Sequence, residues 1–234
     1  MHVEVLDAAD AVARRVADLI DTALRKAIDA RGHATLALSG GSTPWEMVDL
    51  LGARPLPWSA VDVLQVDERV APIGSDARNR THIDAHLQPA VRAGATFHPM
   101  PVDDLSADAL EQGSRDYARL VERVAGDPPV LDGAHLGLGP DGHVASLVVD
   151  DPVLVVDDRA VALTGDYQGH RRMTLTYPAL GAAGLLVWLV LGAAVAPAVR
   201  QLVDGDPTIP ATRLAALGGE RAVLVCDRAA AAFL

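Results

Sequence analysis

The sequence predicts an α/β protein in which a mainly parallel sheet is covered by helices on both faces. Short aliphatic segments alternate with amphipathic ones along the chain, as the crossover connections between parallel strands require. Half of the 234 residues are hydrophobic and only 3% are aromatic, a balance typical of buried aliphatic strands. Pro and Gly mark short connections, and no linker, repeat or low-complexity block is visible. We therefore expect residues 1–234 to form a single domain.

The chain opens with a predicted strand over VEVL and a helix from about Ala8 to Arg31. Apolar residues fall on one face of this helix, at positions 12, 16, 19, 23 and 27, and Gly32 ends it. ATLAL (Ala34–Leu38) predicts a short buried strand. A glycine turn then leads into a helix that ends near Gly52.

The later elements follow the same alternation. VDVLQV (Val61–Val66) predicts a strand, which a long loop, DERVAPIGSDARN, joins to a helix over THIDAHL. A strand over ATFHPM (Ala95–Met100) and an amphipathic helix from Ser106 to Ala125 come next. The remaining predicted strands are AHLGL (Ala134–Leu138), VALT (Val161–Thr164), RMTLT (Arg172–Thr176), LLVWLVL (Leu185–Leu191) and AVLVC (Ala222–Cys226).

The net charge and the rarest residues exclude several functions. A formal net charge of −11 argues against nucleic acid as a partner, because phosphate backbones are held by basic stripes. Cys226 is the only cysteine, which excludes a disulfide framework and a cysteine-based metal site. Lys26 is the only lysine and lies far in sequence from any motif. Walker-type phosphate loops and Schiff-base enzymes need a lysine in the site, so we expect neither class.

The termini and the apolar segments predict a cytoplasmic protein that does not enter a membrane. The stretch MHVEVLDAAD lacks the basic region and apolar core of a signal peptide. Residues 173–199 carry no charge, and their length makes a membrane span the alternative. Pro178, Gly184 and Gly192 cut that stretch into short pieces, which favours buried strands instead.

Three polar loops begin where predicted strands end. SGGSTP follows ATLAL, DER follows VDVLQV, and GPDGH follows AHLGL. Ligands of parallel sheets bind outside the carboxyl ends of the strands. The shared position of the three loops predicts one ligand-binding site.

The loop SGGSTPWE has the features of an anion site. Thr43 is placed as an N-cap, with Pro44 at the first helical position and Glu46 completing a capping box. A plain cap is the alternative, but it leaves Gly40, Gly41 and Ser42 unexplained. Glycines let backbone amides converge, and with two hydroxyls and a helix N-terminus they offer hydrogen-bond donors to a phosphate.

The DER loop adds charged groups beside that phosphate site. Asp67, Glu68 and Arg69 follow an apolar strand. One alternative is that the acid and the arginine form only a surface ion pair, which contributes little. Beside a phosphate loop, however, the fork of donors on Arg69 suits an anion. We expect Arg69 to hold such a group, and Asp67 to accept sugar hydroxyls or to hold a water.

The stretch GPDGHVASL provides the candidate catalytic group. His143 suits proton transfer near neutral pH, and Asp141 is placed to orient it while it activates a water. The alternative is a strand-to-helix turn in which Asp141 is a local cap and His143 lies on the surface. A nucleophilic serine is less favoured, because no GxSxG elbow is present and Ser146 lies three residues from His143, the spacing of neighbours on a helix face.

The other histidines have simpler interpretations. His82 and His86 are spaced as a metal-binding pair on a helix, but a third ligand is not evident, so we interpret them as a solvated face. His33, His98 and His135 lie in or beside apolar strands and are expected at the edges of the core. We expect no metal site.

Together, SGGSTP, VDERVAP, GLGPDGHVASL and RRMTLTYPAL resemble the 6-phosphogluconolactonases, within the glucosamine-6-phosphate isomerase/deaminase superfamily. The resemblance implies a three-layer, Rossmann-like α/β/α fold and cofactor-free hydrolysis of 6-phosphogluconolactone in the oxidative pentose phosphate pathway. It implies that His143 activates the water and that Arg69 and the GGST loop hold the phosphate or ring oxygens of the sugar-phosphate substrate. The motif ASL after DGH favours the lactonases over the deaminases, which typically continue with AFNEP. We expect a monomer or a weak homodimer.

The chain departs from the lactonase pattern at several positions. Phe-Pro-Gly is usual where this chain has Val148, Val149 and Asp150. Arg78 occupies the position of a serine that commonly precedes the asparagine corresponding to Asn79. Val195 occupies the position of a family lysine that is expected to hold the substrate anion. The residues with which the chain can compensate are Arg171, Arg172 and Arg200. A sugar-phosphate-binding relative with little catalysis, or a deaminase-like enzyme, therefore remains the alternative.

Overall fold

A computed structural model describes residues 1–103 and 105–234. Its centre is a sheet of seven parallel strands in the order β1-β10-β9-β6-β2-β3-β5. These strands are β1 (His2–Leu6), β2 (Ala34–Leu38), β3 (Val61–Gln65), β5 (Thr96–His98), β6 (Gly133–Leu136), β9 (Leu186–Val190) and β10 (Ala222–Asp227). The predicted parallel sheet is confirmed, and its strands begin or end within two residues of the predicted bounds.

A second, antiparallel sheet of three strands lies beside the first in the order β4-β8-β7. It consists of β4 (Asp67–Arg69), β7 (Val161–Leu163) and β8 (Arg172–Leu175). The prediction that DER is a loop was wrong, because these residues pair with β8, with Asp67 opposite Thr174 and Arg69 opposite Arg172. A three-residue strand has no alternating pattern of its own, so only its partner strand reveals it.

The part of the chain that is described contains eight α-helices. They are α1 (Ala9–Arg31), α2 (Trp45–Gly52), α3 (Asn79–His86), α4 (Gln88–Arg92), α5 (Ala107–Ala125), α6 (Tyr177–Gly181), α7 (Ala196–Asp204) and α8 (Pro210–Gly218). The predicted α1 ends as expected at Gly32, whose φ of 74° suits a residue without a side chain. Four helices, α4, α6, α7 and α8, were not predicted from the sequence, and each has a proline in its first turn.

The sheet separates two apolar cores, which confirms the three-layer α/β/α arrangement. One core lies under α1 and α2 and includes Val16, Ile20 and Met47. The other lies under α5, α7 and α8, is continuous with the second sheet, and includes Val121 and Leu214. Because both faces are covered, every residue of β9 is buried.

The charge-free stretch 173–199 is divided among β8, α6, β9 and the start of α7. None of the helices in the described residues is both long and apolar enough to cross a membrane.

Candidate active site

A cleft of about 350 Å³ opens at the carboxyl ends of β2, β3 and β6, which are neighbours in the sheet. This volume suits a small ligand. The cleft lies at the end of the sheet where ligands bind in parallel α/β folds. The predicted site residues that line it are Gly40, Gly41, Ser42, Thr43, Asp67, Arg69, His143 and Arg172. Asp141 is not part of the lining but contacts His143, which is.

His143 and Asp141 form a hydrogen-bonded pair in the loop after β6. The Nδ1 atom of His143 lies 2.6 Å from Oδ1 of Asp141, and the side chain of His143 is 20% exposed. A carboxylate accepts a hydrogen bond from Nδ1–H, so this contact leaves the lone pair on Nε2. Gly139 makes the pairing sterically allowed, since a Cβ there would lie 2.0 Å from Nδ1 of His143. No helix follows this turn, so the alternative of a strand-to-helix turn is wrong.

Tyr167 completes this group and was missed from the sequence. Its hydroxyl donates to Oδ2 of Asp141 over 2.7 Å and lies 3.4 Å from Nδ1 of His143. Burial raises the pKa of the Asp141 carboxyl, but the hydrogen bonds from Tyr167 and His143 outweigh it and hold that pKa below its usual value. Burial and the neighbouring Asp141 raise the pKa of Tyr167 to about 12, so its hydroxyl is a donor at neutral pH. Only the short sequence YQGH, which suits a tight turn, hints at this placement.

The phosphate-loop candidate lies between β2 and α2. The prediction that Thr43 is an N-cap was wrong: α2 begins at Trp45, its N-cap is Pro44, and no side chain caps it. Thr43 is therefore not engaged in capping this helix and lines the cleft. Gly40 lies against Asn79, where a Cβ would lie 1.9 Å from Oδ1 of that side chain. The glycine is thus needed for close approach.

A buried polar network underlies the floor of the cleft. The hydroxyl of Ser146 donates to Oδ2 of Asp67 over 2.6 Å, and NH1 of Arg172 lies 3.5 Å from the same hydroxyl. Ser146 is fully buried in a turn and does not line the cleft, so it is neither a nucleophile nor on a helix face. The amide of Asn79 donates to the backbone carbonyl of Asp67 over 2.9 Å.

Two arginines, Arg69 and Arg172, bring positive charge to the cleft. The Nε atoms of Arg69 and Arg172 are both buried without a hydrogen-bond partner. Burial lowers the pKa of the Arg172 guanidinium, Asp67 opposes this shift, and the charge of Arg69 adds to it. Two guanidinium groups in the lining of one cleft give it positive charge, which favours an anionic ligand.

Glu68 lies between two cleft residues but has a structural role. Its carboxylate is fully buried and accepts hydrogen bonds from the backbone N–H groups of Asn79 and Arg80, at 2.7 and 2.8 Å. These contacts satisfy the start of α3. Arg78, which is also buried, lies 3.3 Å from the same carboxylate and balances its charge. The expectation of a surface ion pair at DER was wrong for Glu68.

The position of the missing lysine is an apolar wall. Val195 lines the cleft with Leu138, Leu191 and Ala194. Of the three arginines that were considered as replacements, Arg171 bonds to the carbonyl of Thr164 and to Glu111, and Arg200 to Asp204. Only Arg172 lines the cleft.

The remaining histidines are satisfied or buried away from the cleft. His82 and His86 stack against Trp45, with ring centroids 5.4 and 5.1 Å from the indole. His33 and His98 share the carboxylate of Asp62. Among the residues that the structure describes, no group of three or more His, Cys, Asp or Glu side chains is arranged to hold a metal ion.

His135 lies on β6 and is almost fully buried, so it belongs to the core rather than to its edge. Both of its ring nitrogens are without hydrogen-bond partners. Burial lowers its pKa to about 4.

Comparisons with known proteins place this geometry in a family. A sequence profile described as glucosamine-6-phosphate isomerases/6-phosphogluconolactonase matches residues 7–223. A 6-phosphogluconolactonase of Nostoc sp. is 36% identical over 205 residues, covering 86% of this chain and 84% of the relative. One of Synechocystis sp. is 35% identical over 213 residues, covering 88% of this chain and 87% of the relative. The fold matches a crystal structure of a 6-phosphogluconolactonase from Shewanella baltica, with a TM-score of 0.82 at 23% identity over 97% of both chains.

Proposed function

Because the chain belongs to the glucosamine-6-phosphate isomerase/6-phosphogluconolactonase family, we propose that it hydrolyses 6-phospho-D-glucono-1,5-lactone to 6-phosphogluconate in the oxidative pentose phosphate pathway. The observation that carries the proposal is the pairing of His143 with Asp141 at a cleft that two arginines, Arg69 and Arg172, also line. Lactone hydrolysis needs a base for water and positive charge for the substrate, and this cleft has both.

In the proposed mechanism, His143 is the general base. Its Nε2 takes a proton from a water molecule while the water oxygen forms a bond to the carbonyl carbon of the lactone. Asp141 holds the Nδ1–H group and stabilises the imidazolium that results. The bond between the carbonyl carbon and the ring oxygen then breaks, and the ring oxygen takes the proton from His143. The product is the open-chain acid, which ionises at neutral pH.

We assign the binding of the substrate's anionic and ring oxygens to Arg69, Arg172 and the loop 40–43. The positive charge of the two guanidinium groups and the glycine turn, which line the same cleft, support this assignment. Asp67 would accept a sugar hydroxyl, since Ser146 engages its Oδ2 and leaves Oδ1 with only a long contact of 3.3 Å from Asn79. In this proposal the enzyme needs no metal or cofactor and acts in the cytoplasm as a monomer or weak homodimer.

A coupled assay with freshly prepared lactone tests the function. We expect chelator-treated protein to hydrolyse the lactone well above the spontaneous rate, with 6-phosphogluconate measured through its dehydrogenase. His143→Ala is the matched control for contaminating activity. A rate equal to the spontaneous one, together with measurable binding of 6-phosphogluconate, would instead identify a sugar-phosphate-binding protein. Release of ammonia from glucosamine 6-phosphate would identify a deaminase.

A further inference from the structure

Tyr167 contacts two residues that line the cleft, His143 and Arg172, although it comes from neither the phosphate loop nor the loop after β6. It lies on the connection between β7 and β8 of the second sheet. Its hydroxyl contacts Asp141, and the guanidinium of Arg172 lies 4.8 Å from the centre of its ring. We propose that Tyr167 is a positioning residue, whose hydroxyl holds Asp141 in line with His143 and whose ring holds Arg172 in the cleft. This inference rests on the proposed function and extends it.

The hydrogen bonds of the Tyr167 hydroxyl are complementary. It donates its proton to Oδ2 of Asp141 over 2.7 Å and accepts one from the side-chain amide of Gln168 over 3.1 Å. Oδ1 of the same carboxylate then remains for Nδ1–H of His143, at 2.6 Å. Each oxygen of Asp141 thus has its own donor, which fixes the plane of the carboxylate and with it the orientation of the imidazole.

The ring of Tyr167 contacts the side chains of His143 and Arg172. Its edge meets the His143 ring at 66° with centroids 5.3 Å apart, while the Arg172 guanidinium lies over its face. A cation over an aromatic face is stabilised by the ring quadrupole. The backbone carbonyl of Tyr167 lies 3.5 Å from NH2 of Arg172, so ring and backbone constrain the same side chain.

The backbone around Tyr167 is a tight hairpin end. Tyr167 and His170 exchange backbone hydrogen bonds, from N of Tyr167 to O of His170 at 3.0 Å and in the reverse direction at 3.2 Å. The two residues between them, Gln168 and Gly169, both have positive φ, 52° and 80°. Such a turn matches the twist of a hairpin, and it places the tyrosine at a defined position over the cleft.

The charges around His143 predict that removing the Tyr167 hydroxyl changes the pH dependence of kcat/KM. The ionisable groups in contact with His143 are Asp141 and Tyr167. Arg172 lies over the Tyr167 ring, and the charges of Asp67 and Arg69 act on Arg172. Without the hydroxyl, the charge of Asp141 is less compensated and stabilises protonated His143 more strongly. The acidic limb of kcat/KM, which reports protonation of the base in the free enzyme, should then move to higher pH.

Two substitutions separate the hydroxyl from the ring. We expect Tyr167→Phe to lower kcat about tenfold, the scale of a lost hydrogen bond to a charged group, and to shift the acidic limb upward with KM nearly unchanged. Tyr167→Leu should in addition raise KM, because Arg172 loses its support. Tyr177→Phe is a matched control: that tyrosine also carries an arginine over its ring, Arg213 at 4.2 Å, and its hydroxyl donates to the carbonyl of Pro210, away from the cleft.

Titration of the His143 imidazole by NMR gives a readout that does not need turnover. An upward shift of the His143 midpoint in Tyr167→Phe, absent in Tyr177→Phe, supports the inference even if the wild type proves not to be a lactonase. An unchanged midpoint with wild-type kcat overturns it. A loss of activity with an unchanged midpoint, and with the same drop in Tm as Tyr177→Phe, also overturns it, because the residue is then merely structural.

Discussion

His143 is the residue whose replacement tests the chemistry most directly. His143→Ala removes the proposed base, so we expect the maximal rate of lactone hydrolysis to fall by about 10²-fold or more. The side chain is on a loop and 20% exposed, so Tm should change little. The measurement is the rate after the spontaneous hydrolysis is subtracted, with a thermal melt in parallel. Wild-type turnover in this variant would remove the histidine from the mechanism.

Asp141→Asn is the companion to this test. An amide cannot stabilise the imidazolium as a carboxylate does, but the imidazole stays in place, so we expect a milder loss than in His143→Ala.

Val195→Lys tests whether an arginine has replaced the family lysine. Arg172 lines the cleft with an unpartnered Nε, and Arg69 is already close enough to affect its pKa. A third cation should therefore leave the affinity for 6-phosphogluconate unchanged or weaken it. Arg172→Ala, by contrast, should weaken that affinity by at least about tenfold, because a hydrogen bond to a charged group contributes about 1.5–3 kcal/mol. Calorimetry with the product measures both. Tighter binding by Val195→Lys would contradict this prediction.

At the scale of single elements, the loop after β2 depends on a close contact that only glycine allows. Gly40→Ala would place a Cβ 1.9 Å from Oδ1 of Asn79, a buried side chain bonded to β4. Either the loop or Asn79 must move, so we expect KM for the lactone to rise with a small loss of stability. Gly52→Ala on the following helix is the control, because a Cβ there meets its nearest atom at 3.6 Å. Equal KM values in the two variants would show that the loop does not hold the substrate.

Elements with a strong pattern of their own could be predicted from the sequence, and elements defined by a partner could not. The 23-residue α1 has an apolar face and a glycine end, and the strands of the large sheet are continuous aliphatic runs. By contrast, β4 is recognisable only from its pairing with β8. The short helices that begin with proline could not be predicted from the sequence, because proline marks turns and helix starts alike.

The same distinction holds for the site. The loops after β2, β3 and β6 could be grouped because parallel strands bring their carboxyl ends to one edge. Tyr167 could not be placed, since it reaches the cleft from a hairpin that is distant in sequence from Asp141. Thr43 is of a residue type that commonly caps helices, but the helix begins at Trp45 and its N-cap is Pro44.

At the scale of the whole molecule, we propose that residues 1–234 unfold as one unit, since the two apolar cores share the same sheet. His135 should make that unit sensitive to acid. Its pKa is lowered to about 4 in the folded protein, against about 6.5 in the unfolded chain. The unfolded chain therefore binds a proton between these values that the folded protein does not. The free energy of unfolding should fall as the pH drops through that window, by up to about 3 kcal/mol, with no contribution at neutral pH.

His135→Leu is the variant that measures this effect. This substitution replaces the buried imidazole with an apolar side chain that does not titrate. The variant should therefore lose less stability between pH 7 and pH 4.5 than the wild type does. Denaturant unfolding at both pH values gives the two differences, and His2→Gln, at an exposed histidine, is the control. Identical losses in wild type and His135→Leu would contradict the assignment.

The burial of Glu68 has a consequence for how tolerance to substitution is interpreted in this protein. Its neighbours Asp67 and Arg69 line the cleft, while Glu68 turns inward and ties β4 to the start of α3. In a mutational scan scored only by the growth of cells that depend on the pathway, all three consecutive positions would appear equally intolerant of substitution. Scored by protein abundance in cells, Glu68 variants should be depleted and Arg69 variants retained, because Glu68 maintains the fold whereas the proposed role of Arg69 is to bind the ligand. Intolerance at this tripeptide therefore has two separate origins.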